Sequence, residues 1–139
     1  MRIDGRAVCL PTDVDTDLII AGRYLRTKDQ SIWAARVFED LDPSLAGKMK
    51  GSVIIAGKNF GCGSSREQAA VALKGAGVVC IIAPSFARIF FRNAINLGLP
   101  LAQAELPCRE GDRVVIDLST GTVTAGGTTK NISPLSPHM

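Results

Sequence analysis

An α/β fold, with a parallel core and a C-terminal β hairpin, is predicted by three features of this sequence. Short continuous apolar runs, Val53–Ala56 and Val78–Ala83, read as strands covered on both faces. Each is followed by a pattern of helical period that ends at a glycine, Gly77 and Gly98. From residue 112 onward the style changes to short β-type runs around Ser119-Thr-Gly121, the mark of a hairpin.

In chain order, residues 2–9 read as a first strand. Pro11–Asp17 is a loop with aspartates at 13, 15 and 17, and Leu18-Ile-Ile20 is a short apolar run. Residues 22–29 are polar, led by glycine, and read as a mobile loop. Residues 31–41 are predicted as a helix whose apolar side carries Ile32, Ala35, Val37, Phe38 and Leu41, stopped by Asp42-Pro43. Residues 45–51 form a surface connection to the strand at 53–56. A helix over 65–76 opens with two overlapping capping boxes, Ser64-x-x-Glu67 and Ser65-x-x-Gln68. After the strand at 78–83, Pro84-Ser85 opens a second helix, with Phe86, Ile89, Phe90, Ala94 and Leu97 at helical spacing. Residues 99–102 make a third short strand, so the stretch from 53 to 102 alternates strand and helix, as parallel sheets do. The hairpin pairs 112–118 with 122–125 and is extended by 128–132.

At 139 residues, with 46% hydrophobic and 21% charged, the chain has the size and composition of one globular domain. Residues 1–139 are read as one unit with 133–139 as a flexible tail. The net charge of +3 comes from scattered Lys and Arg, and one Trp and one Tyr make no stacking platform, which argues against nucleic acid. No apolar run reaches a membrane span and the N-terminus lacks a signal-peptide core, so a cytoplasmic location is expected. The cysteines at 9, 62, 80 and 108 show no metal-ligand spacing and are expected as free thiols. The aspartates lack the glycine and distant glutamate of a calcium loop, so a structural turn is the better reading and no metal is expected on this chain. The single histidine, His138, lies in the tail, which excludes a self-contained Ser–His hydrolase.

The residues that carry chemistry are in Asn59-Phe-Gly-Cys-Gly-Ser-Ser-Arg-Glu-Gln68, a glycine-flexed turn feeding a helix N-terminus. Unpaired N–H groups and the positive end of the helix dipole favour an anion there. Arg66 opposes the dipole, and an arginine in that place usually has an anion to hold. Ser64 acts as base or nucleophile only if its proton is removed, and nothing nearby in the sequence does so. Glycine and cap residues used only for the turn are the plainer alternative. The pair Arg88 and Arg92 reads as a solvated face, and the phenylalanines beside it as core.

Four ordered motifs carry a family resemblance: Asp13-Val-Asp-Thr-Asp17 with Ile19-Ile20; Gly22-Arg-Tyr-Leu-Arg-Thr27; Gly57-Lys-Asn-Phe-Gly-Cys-Gly-Ser-Ser-Arg-Glu67; and Ser85-Phe-Ala-Arg-Ile-Phe-Phe-Arg-Asn-Ala-Ile-Asn96. Over residues 2–132 the chain resembles the small subunits of aconitase-superfamily enzymes of the 3-isopropylmalate dehydratase and homoaconitase type. The resemblance implies a swivelling β/β/α domain and reversible dehydration of a hydroxy di- or tricarboxylic acid. It implies a separate large subunit that holds a 4Fe–4S cluster, whose iron is the Lewis acid for the leaving hydroxyl. Carried over by motif, Ser64 is the base, Asp17 helps set the site, Arg66 binds a substrate carboxylate and Ser65 donates a further hydrogen bond. Leu25, Arg26 and Thr27 would read the substrate's variable arm. Arg26 suits a carboxylate-bearing arm, as in homoaconitate, whereas Leu25 suits an isopropyl arm. Isopropylmalate is the working substrate, with homoaconitate or dual specificity close behind. A stand-alone anion-binding module and a purely structural partner are the alternatives from other classes.

Overall fold

The computed structural model describes residues 2–64, 66–107 and 109–135 of the chain. Its strands are β1 (Arg2–Cys9), β2 (Ser52–Ile55), β3 (Cys80–Ala83), β4 (Leu101–Gln103), β5 (Arg113–Asp117), β6 (Thr122–Ala125), β7 (Thr128–Asn131) and β8 (Ser133–Leu135). The helices are α1 (Thr16–Ile19), α2 (Gln30–Ala35), α3 (Glu67–Ala76) and α4 (Arg88–Asn96). Among the described residues the strands make one sheet in the order β7-β6-β5-β1-β2-β3-β4-β8. The run β1 to β4 is parallel, and β5 turns the sheet antiparallel by pairing with β1. The predicted parallel core and C-terminal hairpin are both present.

Alternation in the central strands explains why they read as continuous apolar runs. Ile54 of β2 and Ile81 of β3 face the helices, in a cluster with Phe60, Leu73 and Phe90. Their neighbours Val53, Ile55, Cys80 and Ile82 face the other way, where Val114 and Ile116 of β5 and Val123 of β6 close over them. Both faces of the parallel strands are thus covered, and each fully buried aliphatic side chain contributes roughly 1.5–3 kcal/mol.

Gly5 shows how closely β1 meets its surroundings. A Cβ there would lie 2.5 Å from the carbonyl oxygen of Gly51, a backbone atom that cannot turn aside. Gly5→Ala is expected to lower the unfolding free energy by about 1–3 kcal/mol, read from a urea titration.

Four expectations are corrected. The helix predicted over 31–41 ends at Ala35, because Phe38 turns into the left-handed region (φ 60°) and donates its N–H to the Ile19 carbonyl at 2.9 Å. Val37 and Phe38 are thereby buried, whereas Ile32 and Leu41 stay exposed and Trp33 takes the core position. The helix predicted to open at Pro84-Ser85 begins at Arg88, since Phe86 first makes a parallel bridge with Phe60. The loop 22–29, expected to be mobile, starts with a 3₁₀ turn over Gly22–Tyr24, and its Arg23 is ion-paired to Glu39 and Asp40. Ser133–Leu135, expected in a loose tail, pairs antiparallel with β4; residues 136–139 lie outside the described residues.

Candidate active site

The loop after β2 and the aspartate loop after β1 run side by side and zip together. Asp13 N–H donates to Lys58 O at 2.9 Å, Gly61 N–H to Val14 O at 2.7 Å, and Thr16 N–H to Cys62 O at 2.8 Å. The Thr16 hydroxyl donates to the Ser64 carbonyl at 2.8 Å. Each aspartate of the alternating motif has its own task. Asp13 accepts from the Asn59 side-chain amide at 3.0 Å. Asp15 caps α1, accepting from the Asp17 N–H at 2.5 Å. Asp17 Oδ1 lies 2.5 Å from Arg66 Nη1.

Beneath this ladder, Phe60 is fully buried with its ring edge-on to Phe90, centroids 5.2 Å apart. Gly61 follows at φ 84°, where its hydrogen faces Phe90. The chain then climbs through Cys62 and Gly63 to Ser64 at the surface.

The capping box predicted at Ser64-x-x-Glu67 is corrected as well, and the one at Ser65-x-x-Gln68 begins outside the described residues. The helix begins at Glu67 and not at 65, with Arg66 at the capping position and no side chain capping it. Ser64 lies before the helix, and its hydroxyl makes no hydrogen bond among the described residues; Ser65 lies outside them. The positive end of α3 is therefore open to an anion, and Ser64 is not consumed as a cap.

Arg66 is three-quarters buried, and its Nη1 forms no aligned hydrogen bond even though Asp17 is close. The contact is charge against charge, with the N–H vectors directed elsewhere. The same guanidinium lies against Gly22, where a Cβ would be 3.5 Å from Nη1. The structure thus gathers Asp17, Ser64, Arg66 and the start of the 22–27 loop. Within that loop Leu25 packs against the helical core, the Thr27 hydroxyl accepts from Asp29 N–H at 3.1 Å, and Arg26 is exposed. No hydrogen bond or ion pair joins these three to Ser64, Arg66 or Asp17 among the described residues. Of the arginines at 23, 26 and 36, only Arg26 has no acid partner among the described residues. Sequence reading missed the acids at 39 and 40, which neutralise the other two.

Among the described residues no group of three His, Cys, Asp or Glu side chains is placed to hold a metal. Burial raises the Cys62 thiol, and the charges of Asp15 and Asp13 raise it further. Burial pushes the Cys80 thiol up to about 12, so neither is a ready thiolate ligand. Cys9 is in a disulfide, against the expectation of free thiols. A cavity of about 430 Å³ opens at the ends of β1 and β2, lined by Thr12, Gly57, Lys58 and Glu105 among others, and does not reach Ser64, Asp17 or Arg66.

Residues 11–106 match the model of the aconitase C-terminal domain family. The chain belongs to that family. It is 51% identical to the methanogen homoaconitase small subunit of Methanothermobacter thermautotrophicus, over 99% of this chain and 82% of that protein. It is 52% identical to the 3-isopropylmalate dehydratase small subunit of Sulfurimonas denitrificans, over 88% of this chain and 75% of the relative. A crystal structure of 3-isopropylmalate dehydratase from Methanocaldococcus jannaschii superposes with a TM-score of 0.94 at 46% identity, covering 98% of this chain and 84% of that one. The matched region of this aconitase-family domain contains the zipped loops, both central helices and the open N-terminus of α3.

Proposed function

We propose that this chain is the small subunit of a 3-isopropylmalate dehydratase, a hydro-lyase that moves a hydroxyl between neighbouring carbons of a hydroxy acid. The observation that carries the reading is Arg66, held beside Asp17 at the open end of α3 two residues after an uncommitted Ser64. The names of relatives at about half identity support the reaction class. The reaction would belong to leucine biosynthesis in the cytoplasm, and no helix among the described residues is long and apolar enough to cross a membrane.

Ser64 is the base that takes the proton from the carbon beside a substrate carboxylate and returns it on rehydration. A serine alkoxide is unfavourable at neutral pH, and the positive end of α3 together with Arg66 offsets part of that cost. Arg66 grips the carboxylate with the side of its fork that Asp17 does not face. Ser65 supplies a further hydrogen bond, and Asp17 keeps Arg66 in place between turnovers. Among the described residues no group of donors is placed to hold a metal, and the family resemblance puts a 4Fe–4S cluster on a large partner subunit. There it supplies the Lewis acid for the leaving hydroxyl. In this reading the chain supplies half of an active centre that the partner completes.

The exposed Arg26, without an acid of its own, favours a second reading, a homoaconitase-type or dual enzyme whose substrate carries a carboxylate arm. Leu25, Arg26 and Thr27 form the arm-reading segment in either case. Arg26→Val is expected to lower kcat/KM for the carboxylate-armed acid by about tenfold relative to the isopropyl-armed acid. The check is steady-state kinetics of the complex reconstituted with the large subunit. An unchanged ratio removes the 25–27 segment from arm recognition.

A further inference from the structure

The segment that carries Leu25 and Arg26 is clamped from one side by residues that have no role in the chemistry above. Arg23 lays both arms of its fork on Asp40, at 2.7 and 3.1 Å, and its Nη2 also reaches Glu39 Oε1 at 2.9 Å. The Tyr24 hydroxyl donates to the same oxygen of Glu39. Arg36 donates to the other oxygen at 3.2 Å. Trp33 Nε1 donates to the Tyr24 carbonyl at 3.0 Å, and the Arg23 and Arg36 guanidiniums lie 4.9 and 5.9 Å from the centre of the Tyr24 ring. Three donors thus converge on Glu39, whose side chain is 25% exposed against 52% for Arg23 and 55% for Arg36.

The base of the clamp is tied to the candidate site. Glu39 follows Phe38, whose buried ring and left-handed backbone are held by the N–H bond to Ile19. A left-handed phenylalanine costs on the order of 1–3 kcal/mol and persists only where its surroundings demand it. Ile19 closes α1, the helix whose Asp17 faces Arg66. The Ser64 turn, α1, the 38–40 turn and the 22–27 loop therefore share one frame. Isolated surface ion pairs add little stability, but a network that fixes a loop can set its geometry.

We propose that Glu39 is a positioning residue for substrate selectivity: through Tyr24 and Arg23 it fixes the loop that places Leu25 and Arg26 relative to Arg66. The proposal rests on the reading of the 25–27 segment as the arm-recognition segment. Glu39 is paired with Arg23 and Arg36 and Asp40 with Arg23, whereas Arg26 has no acid partner among the described residues.

The test is steady-state kinetics of the reconstituted two-subunit complex with Tyr24→Phe, Glu39→Ala and Glu39→Gln in this chain, using isopropylmalate and homoaconitate. Tyr24→Phe and Glu39→Ala are expected to raise KM for the carboxylate-armed acid about tenfold, the usual worth of a hydrogen bond to a charged group. Turnover at saturation should change less than about threefold with either acid, because the Ser64 turn is untouched. Glu39→Gln, which keeps an acceptor for Tyr24, should recover part of the selectivity. Selectivity unmoved by Tyr24→Phe and Glu39→Ala, while Arg26→Val moves it, overturns the clamp and leaves the arm-reading segment standing. Selectivity unmoved by all three variants overturns both. A kcat that falls equally with both acids also overturns the positioning role, since general loss of structure would do that. If Glu39→Ala fails to assemble, Tyr24→Phe, which keeps the ring and its packing, decides alone.

Discussion

Ser64→Ala will lower turnover of the reconstituted complex by about 10²–10⁴-fold, the usual worth of a positioned general base. The folding of the chain should not change. Ser64 is exposed, its hydroxyl holds nothing among the described residues, and the contacts it does make run through its carbonyl. Exposed substitutions of that kind stay within about 0.5 kcal/mol. Substrate affinity should also survive, because Arg66 and the open end of α3 remain. The check is anaerobic turnover beside thermal unfolding of the same preparation. Near-normal turnover would remove Ser64 as the base.

Gly61→Ala is expected to do the opposite, damaging the fold first and the chemistry through it. Gly61 sits at φ 84°, and a Cβ there would lie 2.3 Å from Phe90 Cγ and 2.4 Å from Phe90 Cβ. Phe90 is 2% exposed and wedged against Phe60, so it has nowhere to retreat. Left-handed strain of roughly 1–2 kcal/mol adds to an overpacking cost of roughly 1–3 kcal/mol, giving a loss of about 2–5 kcal/mol. Urea unfolding measures it, and a midpoint equal to wild type would contradict the packing described beneath the turn. Turnover should fall as well, because Cys62, Gly63 and Ser64 hang from this residue. The two variants would separate the roles within one turn, shaping at position 61 and the proposed chemistry at position 64.

The parallel core was legible because its signals are local. Continuous apolar runs, helical spacing and terminal glycines placed β2, α3, β3, α4 and β4 to within a few residues. What failed depended on contacts distant in the chain. The apolar pattern over 31–41 looks helical, yet the hydrogen bond from Phe38 to Ile19 and the burial of both side chains end the helix at Ala35. Ser64-x-x-Glu67 has the spelling of a capping box, but the Ser64 carbonyl is held by Thr16 and the helix starts at Glu67. Ser133–Leu135 carries no strand signal of its own and becomes a strand only through pairing with β4.

For the candidate site, the placement of Ser64 and Arg66 just before a helix could be read directly, since a cation beside a helix N-terminus is a local anomaly. That Asp17 helps set the site came only from the motif resemblance, and its place beside Arg66 follows from the zipped loops. The clamp on the 22–27 loop could not be read at all. Glu39 faces Tyr24 only because the predicted helix breaks at Phe38, so an error in secondary structure hid a feature of the site.

The most direct measurement is turnover of isopropylmalate and homoaconitate by this chain mixed anaerobically with a cluster-loaded large subunit, beside each subunit alone. Activity in the mixture and in neither part is the expected result, and the preferred acid assigns the arm. A formed complex with an intact cluster and no turnover of either acid would contradict the assigned substrates. Failure to form any complex, with hydroxy acid bound by this chain alone, would contradict the split active site and leave an anion-binding module in its place.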